Sequence, residues 1–541
     1  NTNYHFLEYF FQAFSMDSNN DSKTKRQKTG NLYLNYTISS NDEKIDIITD
    51  ISKLSPKSFF NDYIAIRKPV KFVTLSDQQV IQLNKFELEN LVDTLNYNDE
   101  ELQVEKKYPA GFGSGQTRIQ MKLSDLVNEI KNGNDEYYLT TQYDFDDPDR
   151  ASDEEDEDEG EEEENGNEGG VPFDQFSDTS SIDMNNLHDD FEDIEDDFDE
   201  SANDEVNNQD EMTAAEAEFR IKELYQPPLT NLVNHPEILP YSPSFFNLVP
   251  QQINLWMGSS STNTNIKETH NNFTIDESKP DLGLGKQLPG ESPRGTSTGL
   301  HHDHADNLYI LVLGKKRFTI LSPNDAMKLY TVGNIYKIFN SGIIDYEIDE
   351  NAPGWKHVRD DGAIIEEIIY WQLDKSRLTN NGHDKEAEQK LLNELQVHIK
   401  QHQAQQKALK TTSGIRRDPP SFSKIPPALL HLDELKDESI RKKIESFANK
   451  FFPGVLQLNK LEVWLNPGEM LYLPAGWFHE VSSFGSDNKD NIGGAHIAIN
   501  YWFIPPNTTN FDDCYEDTYW KEDWEKTKQA MQLVKDGVVN L

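Results

Sequence analysis

The chain has 541 residues, 35 % of them hydrophobic, with a formal net charge of −45 and a mean hydropathy of −0.76. The length exceeds one typical domain, yet a chain this polar cannot bury most of itself, which predicts one large domain interrupted by unfolded inserts. The charge argues against a non-specific nucleic-acid surface, and the single cysteine, Cys514, excludes a disulfide framework and a zinc finger built on thiolates.

The same cysteine count points to a reducing compartment, cytosol or nucleus. No run approaches the ~20 apolar residues of a membrane helix, and the aromatic stretch from Tyr4 to Phe14 lacks the basic flank of a signal peptide. The chain does not begin with Met, and Met16 heads a polar stretch, so residues 1–15 read as an upstream extension foreign to the folded domain. Residues 1–42 are expected to form a disordered arm. Within it, Lys23-Thr-Lys-Arg-Gln-Lys28 is either a nuclear address or a solvated basic cluster.

Order is expected from about residue 43. Ser55-Pro56 reads as an N-cap with Pro at the first helical position, leading into a helix through Ile64. Arg67 to Val73 reads as the first strand. A helix follows on Phe86, Leu88, Leu91, Val92 and Leu95, and another is capped by Ser124 and stopped by Gly133. Glu136 to Gln142 reads as a strand that closes this part of the domain near residue 145.

Residues 146–212 interrupt the fold. Between Asp144 and Glu211 there are 32 acidic residues against one basic residue, Arg150, which carries most of the net charge. So few apolar side chains cannot offset an ordering entropy of roughly 1–2 kcal/mol per residue. The tract is either a solvated spacer or a docking arm for a basic partner, and its density of one sign favours docking.

The domain resumes over 213–258 with Ala215 to Phe219 and the strand Gln252 to Met257, and a polar insert follows over 259–294. The core is expected over 295–510. Leu308 to Leu321 reads as two apolar strands around a turn at Gly314. A helical and Pro-rich insert spans about 376–427, with an amphipathic helix through Leu391, Leu392, Leu395 and Ile399. Strands return at Leu461 to Leu465, Met470 to Leu473, through His479, and at Ile497 to Trp502, separated by Asn466-Pro-Gly468 and Pro474-Ala-Gly476. The tail, 511–541, carries Trp520 and Trp524 one helical turn apart and should form helices that pack on the core or on a second copy. Many short strands between Gly/Pro turns predict a mainly β fold with flanking helices, a double-sheet jelly roll.

The stretch Thr298-Gly-Leu-His301-His-Asp303-His-Ala-Asp-Asn307 offers an imidazole and a carboxylate two residues apart at the start of an apolar run. On a strand such residues share a face, so His301 and Asp303 supply two thirds of a 2-His-1-carboxylate metal site. Spacing alone permits a His302/His304 pair instead. A third ligand must come from a distant strand, and Leu471-Tyr-Leu-Pro-Ala-Gly-Trp-Phe-His479 supplies one. In isolation, His479 reads better as a hydrogen-bonded core histidine.

These two blocks resemble the JmjC (cupin-like) family of iron- and 2-oxoglutarate-dependent oxygenases, over roughly 45–145 and 220–530. Asn254-Leu-Trp-Met-Gly258 and Gly468-Glu-Met-Leu-Tyr-Leu-Pro474 look most like the small JmjC-only protein hydroxylases, particularly the lysyl hydroxylase branch acting on translation-associated GTPases. The resemblance implies a double-stranded β-helix and a metal triad of His301, Asp303 and His479. It selects this register because the family pattern places Asn four residues after the Asp, met by Asn307; His302 and His304 then point to the opposite face, exposed or capping. The matching cosubstrate residues are Lys316 rather than Lys315, Thr298, and Tyr138, with Tyr137 after a one-residue slip. Asn307 and Asn500 match polar positions near the metal.

The resemblance implies Fe(II), 2-oxoglutarate and O2, and a hydroxylated side chain on a protein substrate of basic character. Its rivals are an N-methyl-lysine demethylase, a tRNA-modifying hydroxylase, which the acidic balance disfavours, and a non-catalytic cupin that recruits basic partners through the acidic tract. Deleting residues 149–210 should leave the fold and substrate-free turnover intact, because loop closure varies slowly with length. If the tract docks a basic partner, the deletion should slow association at low salt in stopped-flow measurements. Equal rates would reduce it to a spacer.

Overall fold

The run Asp306–Leu313 is apolar on both faces, a pattern that suits a strand only when both faces are covered. In the computed structural model it lies inside a nine-stranded sheet. The structure describes residues 32–74, 77–98, 100–106, 118–142, 212–260, 273–289, 295–378, 385–409, 418–485 and 494–541. The acidic tract and the basic cluster expected near residue 25 lie outside these residues.

In chain order the strands are β1 (Asp46–Ile48), β2 (Val70–Phe72), β3 (Leu102–Lys106), β4 (Arg118–Met121), β5 (Tyr137–Leu139), β6 (Pro250–Ser259), β7 (Thr296–Ser297), β8 (His301–His302), β9 (Asp306–Leu313) and β10 (Lys315–Leu321). They continue with β11 (Ile335–Ile338), β12 (Ile344–Tyr346), β13 (Leu461–Leu465), β14 (Met470–Leu473), β15 (Phe478–Phe484) and β16 (Ala495–Phe503). The larger sheet has the order β1-β2-β14-β9-β16-β6-β5-β3-β4, and the smaller runs β13-β10-β15-β7 with β8 also pairing β15. Apart from the parallel pair β1–β2, the neighbours are antiparallel. This is the double-sheet jelly roll that the turn spacing predicts.

Alternation divides the apolar residues into layers. On β9, Leu308, Ile310 and Val312 face an outer core shared with Phe59, Phe72, Ile253, Ile499 and Trp520, while Tyr309 and Leu311 face inward against Phe318, Ile320, Val463 and Val481 of the smaller sheet. A third cluster, including Leu321, Tyr346, Trp355, Phe447 and Phe478, covers the far face of the smaller sheet. The metal-motif residues therefore sit between two layers that fix the strands from both sides.

Strands β9 and β10 do not pair with each other, although only Gly314 separates them. The chain leaves one sheet and enters the other at that residue. Its φ is +86°, and a Cβ there would lie 2.7 Å from His496 Cβ and 2.9 Å from the Phe484 carbonyl oxygen. Only glycine fits this crossing, and the crossing sets which lysine of β10 faces the interior.

The described chain enters the fold earlier than expected. Tyr33 and Ile38 are buried in the second and third clusters, and Tyr36 stacks on Trp477 at 6.0 Å. The arm expected to stay disordered to residue 42 is anchored from residue 32, because a few aromatic contacts outweigh its polar composition. Within the expected polar insert, residues 273–289 are also packed, with Phe273, Leu284 and Leu288 buried. The strand expected first is preceded by β1. The helix expected over 86–95 is a 3-10 turn, Leu83–Phe86, and one α turn, Leu91–Leu95, ended by Asn96 at φ +46°. Ser124 is not a cap: helix Leu123–Lys131 starts from Lys122 without a side-chain cap, with Gly133 at φ +77° past its end.

The helix expected through Leu391 to Ile399 and the C-terminal helix lie near their expected positions, whereas helices Ile365–Leu378 and Glu438–Phe451 are additions that the sequence reading lacks. Helix Lys385–Leu409 packs Leu395 against Ile369 and Leu373 of helix Ile365–Leu378. The C-terminal helix Tyr519–Lys535 lies on helix Ala214–Leu224, with Ala530 and Val534 against Ala217 and Ile221. Among the described residues no helix is long and apolar enough to cross a membrane.

One buried ion pair ties the N-terminal segment to β9. The Arg67 guanidinium donates to both carboxylate oxygens of Asp306, with Nη1 2.9 Å from Oδ2 and Nη2 on Oδ1. Asp306 also accepts from Tyr472 Oη at 2.7 Å and the Ala475 amide at 2.9 Å, and Trp477 Nε1 donates to the Arg67 carbonyl at 3.1 Å. Removing one partner of such a pair leaves the other charge buried without compensation. Asp306→Ala should therefore lower the unfolding free energy in urea by about 3–5 kcal/mol; a loss under about 1 kcal/mol, typical of an exposed pair, would show that Arg67 finds solvent.

Candidate metal centre

His301 lies on β8, which pairs with β15 so that His301 and His479 are direct cross-strand neighbours. Their rings lie 4.4 Å apart. Asp303 follows in the turn before β9, where its carbonyl accepts from the Gly476 amide at 2.8 Å, and His479 Nε2 is 3.7 Å from Asp303 Oδ2. One ligand atom from each of the three residues lies within 4.8 Å of the others.

The hydrogen bonds orient these groups for a metal. His301 Nδ1 faces the Gly299 carbonyl at 3.0 Å, and His479 Nδ1 faces the Trp477 carbonyl at 3.0 Å. A carbonyl only accepts, so each Nδ1 carries the proton and each Nε2 keeps the lone pair that a metal takes. Burial of the ring, and then the neighbouring His479, hold the His301 imidazole well below the usual histidine range, so it stays neutral. Two imidazoles and a carboxylate on one face are a donor set suited to a divalent transition metal.

The carboxylate is oriented by a line of amides. Trp256 Nε1 donates to Asn500 Oδ1 at 2.7 Å, Asn500 Nδ2 to Asn307 Oδ1 at 3.2 Å, and Asn307 Nδ2 to Asp303 Oδ2 at 3.1 Å. Each amide accepts with its oxygen and donates with its nitrogen, so the line has one direction and ends on the ligand. Phe422 stacks on His301, ring centroids 4.9 Å apart and planes within 13°, which restrains the ring from the side opposite β15.

His302 and His304 point to the other face, but they are buried rather than exposed or capping. His302 Nε2 meets Tyr346 Oη, and His304 Nε2 faces the Ile344 carbonyl at 2.9 Å. Burial pushes His304 down to about 4. The expectation of exposure fails because the far face of the smaller sheet is itself covered by the Tyr346–Trp355 cluster.

Farther along the same face, Lys316 is buried and donates to Ser483 Oγ at 2.6 Å, with His496 Nδ1 at 3.4 Å and the Tyr138 ring centroid at 5.7 Å. Lys315 is exposed and lies over Trp464 at 4.5 Å. Tyr138 is buried on this face, its hydroxyl held well above the usual range by burial and then by Glu105, whereas Tyr137 is only half-buried. Thr298 does not bring its hydroxyl to Lys316: Oγ1 donates to the Gly299 carbonyl at 2.9 Å and accepts from the Val481 amide at 3.2 Å. Ser483 and His496, missed in the sequence, hold the lysine. Period-two spacing from His479 and from Asn500 would have pointed to both.

Two sheets enclosing a 2-His-1-carboxylate set define a cupin barrel with a candidate metal site. The chain belongs to the cupin-like family: the model described as "Cupin-like domain" matches residues 56–509. It is similar to JmjC domain-containing protein 4 of Schizosaccharomyces pombe, 26 % identical over 532 residues and 88 % of each chain. It is also similar to Lysine-specific demethylase JMJ32 of Arabidopsis thaliana, 26 % identical over 206 residues and 38 % of each chain. JmjC cupins are typically iron- and 2-oxoglutarate-dependent oxygenases, and the His301, Asp303 and His479 donor set fits iron.

His301→Ala and Asp303→Ala should each yield folded protein that loses iron on desalting, read by metal analysis. Asn307→Ala should weaken iron retention by about 10–100-fold through the unrestrained carboxylate. His302→Ala should keep its iron but lose about 1–3 kcal/mol of stability, since Tyr346 loses its buried partner. Iron lost from His302→Ala and kept by His301→Ala would reverse the assignment.

Proposed function

We propose that the protein is an Fe(II)- and 2-oxoglutarate-dependent dioxygenase that hydroxylates a side chain of a protein substrate. The observation that supports this most is the oriented triad with a buried lysine on the same interior face. His479 and Ser483, which holds Lys316, are four residues apart on β15, about 13 Å along a strand. A dicarboxylic acid with its oxo-acid end at the triad and its far carboxylate at Lys316 would lie along this strand, with the metal bond, the hydrogen bond and the side chains taking up the rest of the interval. Charge-assisted hydrogen bonds from the Lys316 ammonium and the Ser483 hydroxyl would anchor that carboxylate.

Held by His301, Asp303 and His479, iron with 2-oxoglutarate and oxygen would supply the oxidising power to hydroxylate a positioned C–H bond, the cosubstrate leaving as succinate and carbon dioxide. The residues of the chain bind, orient and shield. The amide line from Trp256 fixes the carboxylate ligand, and Tyr309, Phe318 and Trp477 keep the interior apolar. The proposed substrate is a basic protein, captured by the acidic tract between Asp144 and Glu211.

A second reading, N-methyl-lysine demethylation, rests on the demethylase named among the relatives. That similarity covers 38 % of the chain, and hydroxylation is preferred on the resemblance of Asn254 to Gly258 and of Gly468 to Pro474 to the JmjC-only hydroxylases. Incubating iron-loaded protein with 2-oxoglutarate and candidate basic proteins, with succinate and intact mass as readouts, separates the two. A gain of one oxygen atom supports hydroxylation, and loss of one methylene supports demethylation. No succinate from protein carrying stoichiometric iron would sink both and favour a binding protein.

Lys316→Ala should raise the KM for 2-oxoglutarate by roughly 10–150-fold, corresponding to charge-assisted bonds of about 1.5–3 kcal/mol. Lys315→Ala, which loses only a contact over Trp464, should leave it unchanged. Equal effects at both positions would refute the assignment of the inner lysine.

A further inference from the structure

The interior face of β6 and β16 carries hydrogen-bonding groups that the fold does not use. Asn254 is fully buried, yet among the described residues neither its Oδ1 nor its Nδ2 has a hydrogen-bond partner. The Trp502 indole Nε1, on a side chain 5 % exposed, is likewise without one. Leaving such groups buried and unsatisfied destabilises a fold. A leucine at Asn254 would avoid that penalty.

Both groups border the metal centre. Asn254 is the direct cross-strand partner of Asn500, whose amide belongs to the line ending on Asp303, and such partners share a face. Trp256, two residues on and so on that face too, donates to Asn500. Trp502 is two residues beyond Asn500, pairs with Gln252, and lies edge-on to Trp256 at 6.3 Å. The row is not sealed: Trp256, His301 and Asp303 are each partly exposed.

We infer that Asn254 and Trp502 form a subsite for a neutral carboxamide of the substrate, next to the metal; this rests on the oxygenase reading above. The donor and acceptor inventory selects the class. Asn254 presents one acceptor and two donor hydrogens, and Trp502 one more donor. An ammonium or guanidinium has donors only and leaves Asn254 Nδ2 and Trp502 Nε1 unsatisfied; a carboxylate has acceptors only and leaves Asn254 Oδ1 unsatisfied. A carboxamide offers both. It belongs to an Asn or Gln side chain or to the main chain beside the reacting residue.

Full-length protein loaded with 2-oxoglutarate and with zinc as an oxygen-inert substitute for iron tests this by saturation-transfer NMR. The probes are acetamide for a side-chain amide, N-methylacetamide for a main-chain amide, and methylammonium, guanidinium and acetate as charged controls. Transfer to one or both amides and not to the controls is expected; which amide responds identifies the source. Asn254→Leu should weaken that binding by about tenfold or more while its melting temperature holds or rises. A purely structural amide would instead show a fall in melting temperature with probe binding unchanged.

The inference is overturned if no amide binds, if a charged control binds as well, or if Asn254→Leu binds the amide normally. Substrate-free oxidation of 2-oxoglutarate by iron-loaded protein, measured alongside, tests the parent reading separately. Its absence with amide binding intact would remove the enzyme and leave the subsite.

Discussion

The metal centre depends on a pair of charges that never touch it. Asp306 lies three residues after Asp303 and begins β9, and it is held by Arg67, Tyr472 and the Ala475 amide. Those three contacts join the N-terminal segment, β14 and the turn ahead of β15 at one carboxylate. The turn carries Trp477 and leads into His479, so the grip on Asp306 also sets where the distant ligand enters. Replacing such a pair with apolar groups can leave stability unchanged; here its directional bonds fix the relation between two chain segments that both bring metal ligands.

Geometry farther along follows from one glycine. Because β9 passes to β10 through Gly314 at φ +86°, the interior positions of β10 are Lys316, Phe318 and Ile320, and the exterior ones are Lys315, Arg317 and Thr319. Arg317 bonds to Ser482 and Glu434 on the outer face. Adjacent cations therefore have opposite fates: one is enclosed beside Ser483 and His496, and its neighbours are held outside.

Much of this was legible because it is local. The His301, Asp303 and Asn307 spacing, the turn residues around His479 and the alternation at Lys315 and Lys316 are written within a few positions. What the sequence did not show was set by neighbours remote in the chain. His302 and His304 look like surface residues until the Tyr346–Trp355 cluster covers them. Tyr33 and Ile38 look like part of a polar arm until Trp477, more than four hundred residues later, provides a surface. Thr298 has the right residue type and place, but its hydroxyl is taken by its own backbone surroundings, and Ser483 holds the lysine instead. Sequence pattern gives the face of a strand; what covers that face depends on topology.

The strand order also bears on how the chain is made. Strand β9 is flanked by β14 and β16, whose residues follow it by roughly 160–190 positions, and β10 is flanked by β13 and β15. A nascent chain that has released β9 from the ribosome still lacks both of that strand's neighbours, and a segment apolar on both faces must wait through the synthesis of the intervening helices. The same separation lies between His301 and His479, so the barrel and its candidate metal triad are completed together, only once β15 and β16 have been made. Truncation upstream of β16 would leave β9, apolar on both faces, without a neighbour on one edge, exposed to aggregation and dependent on chaperones.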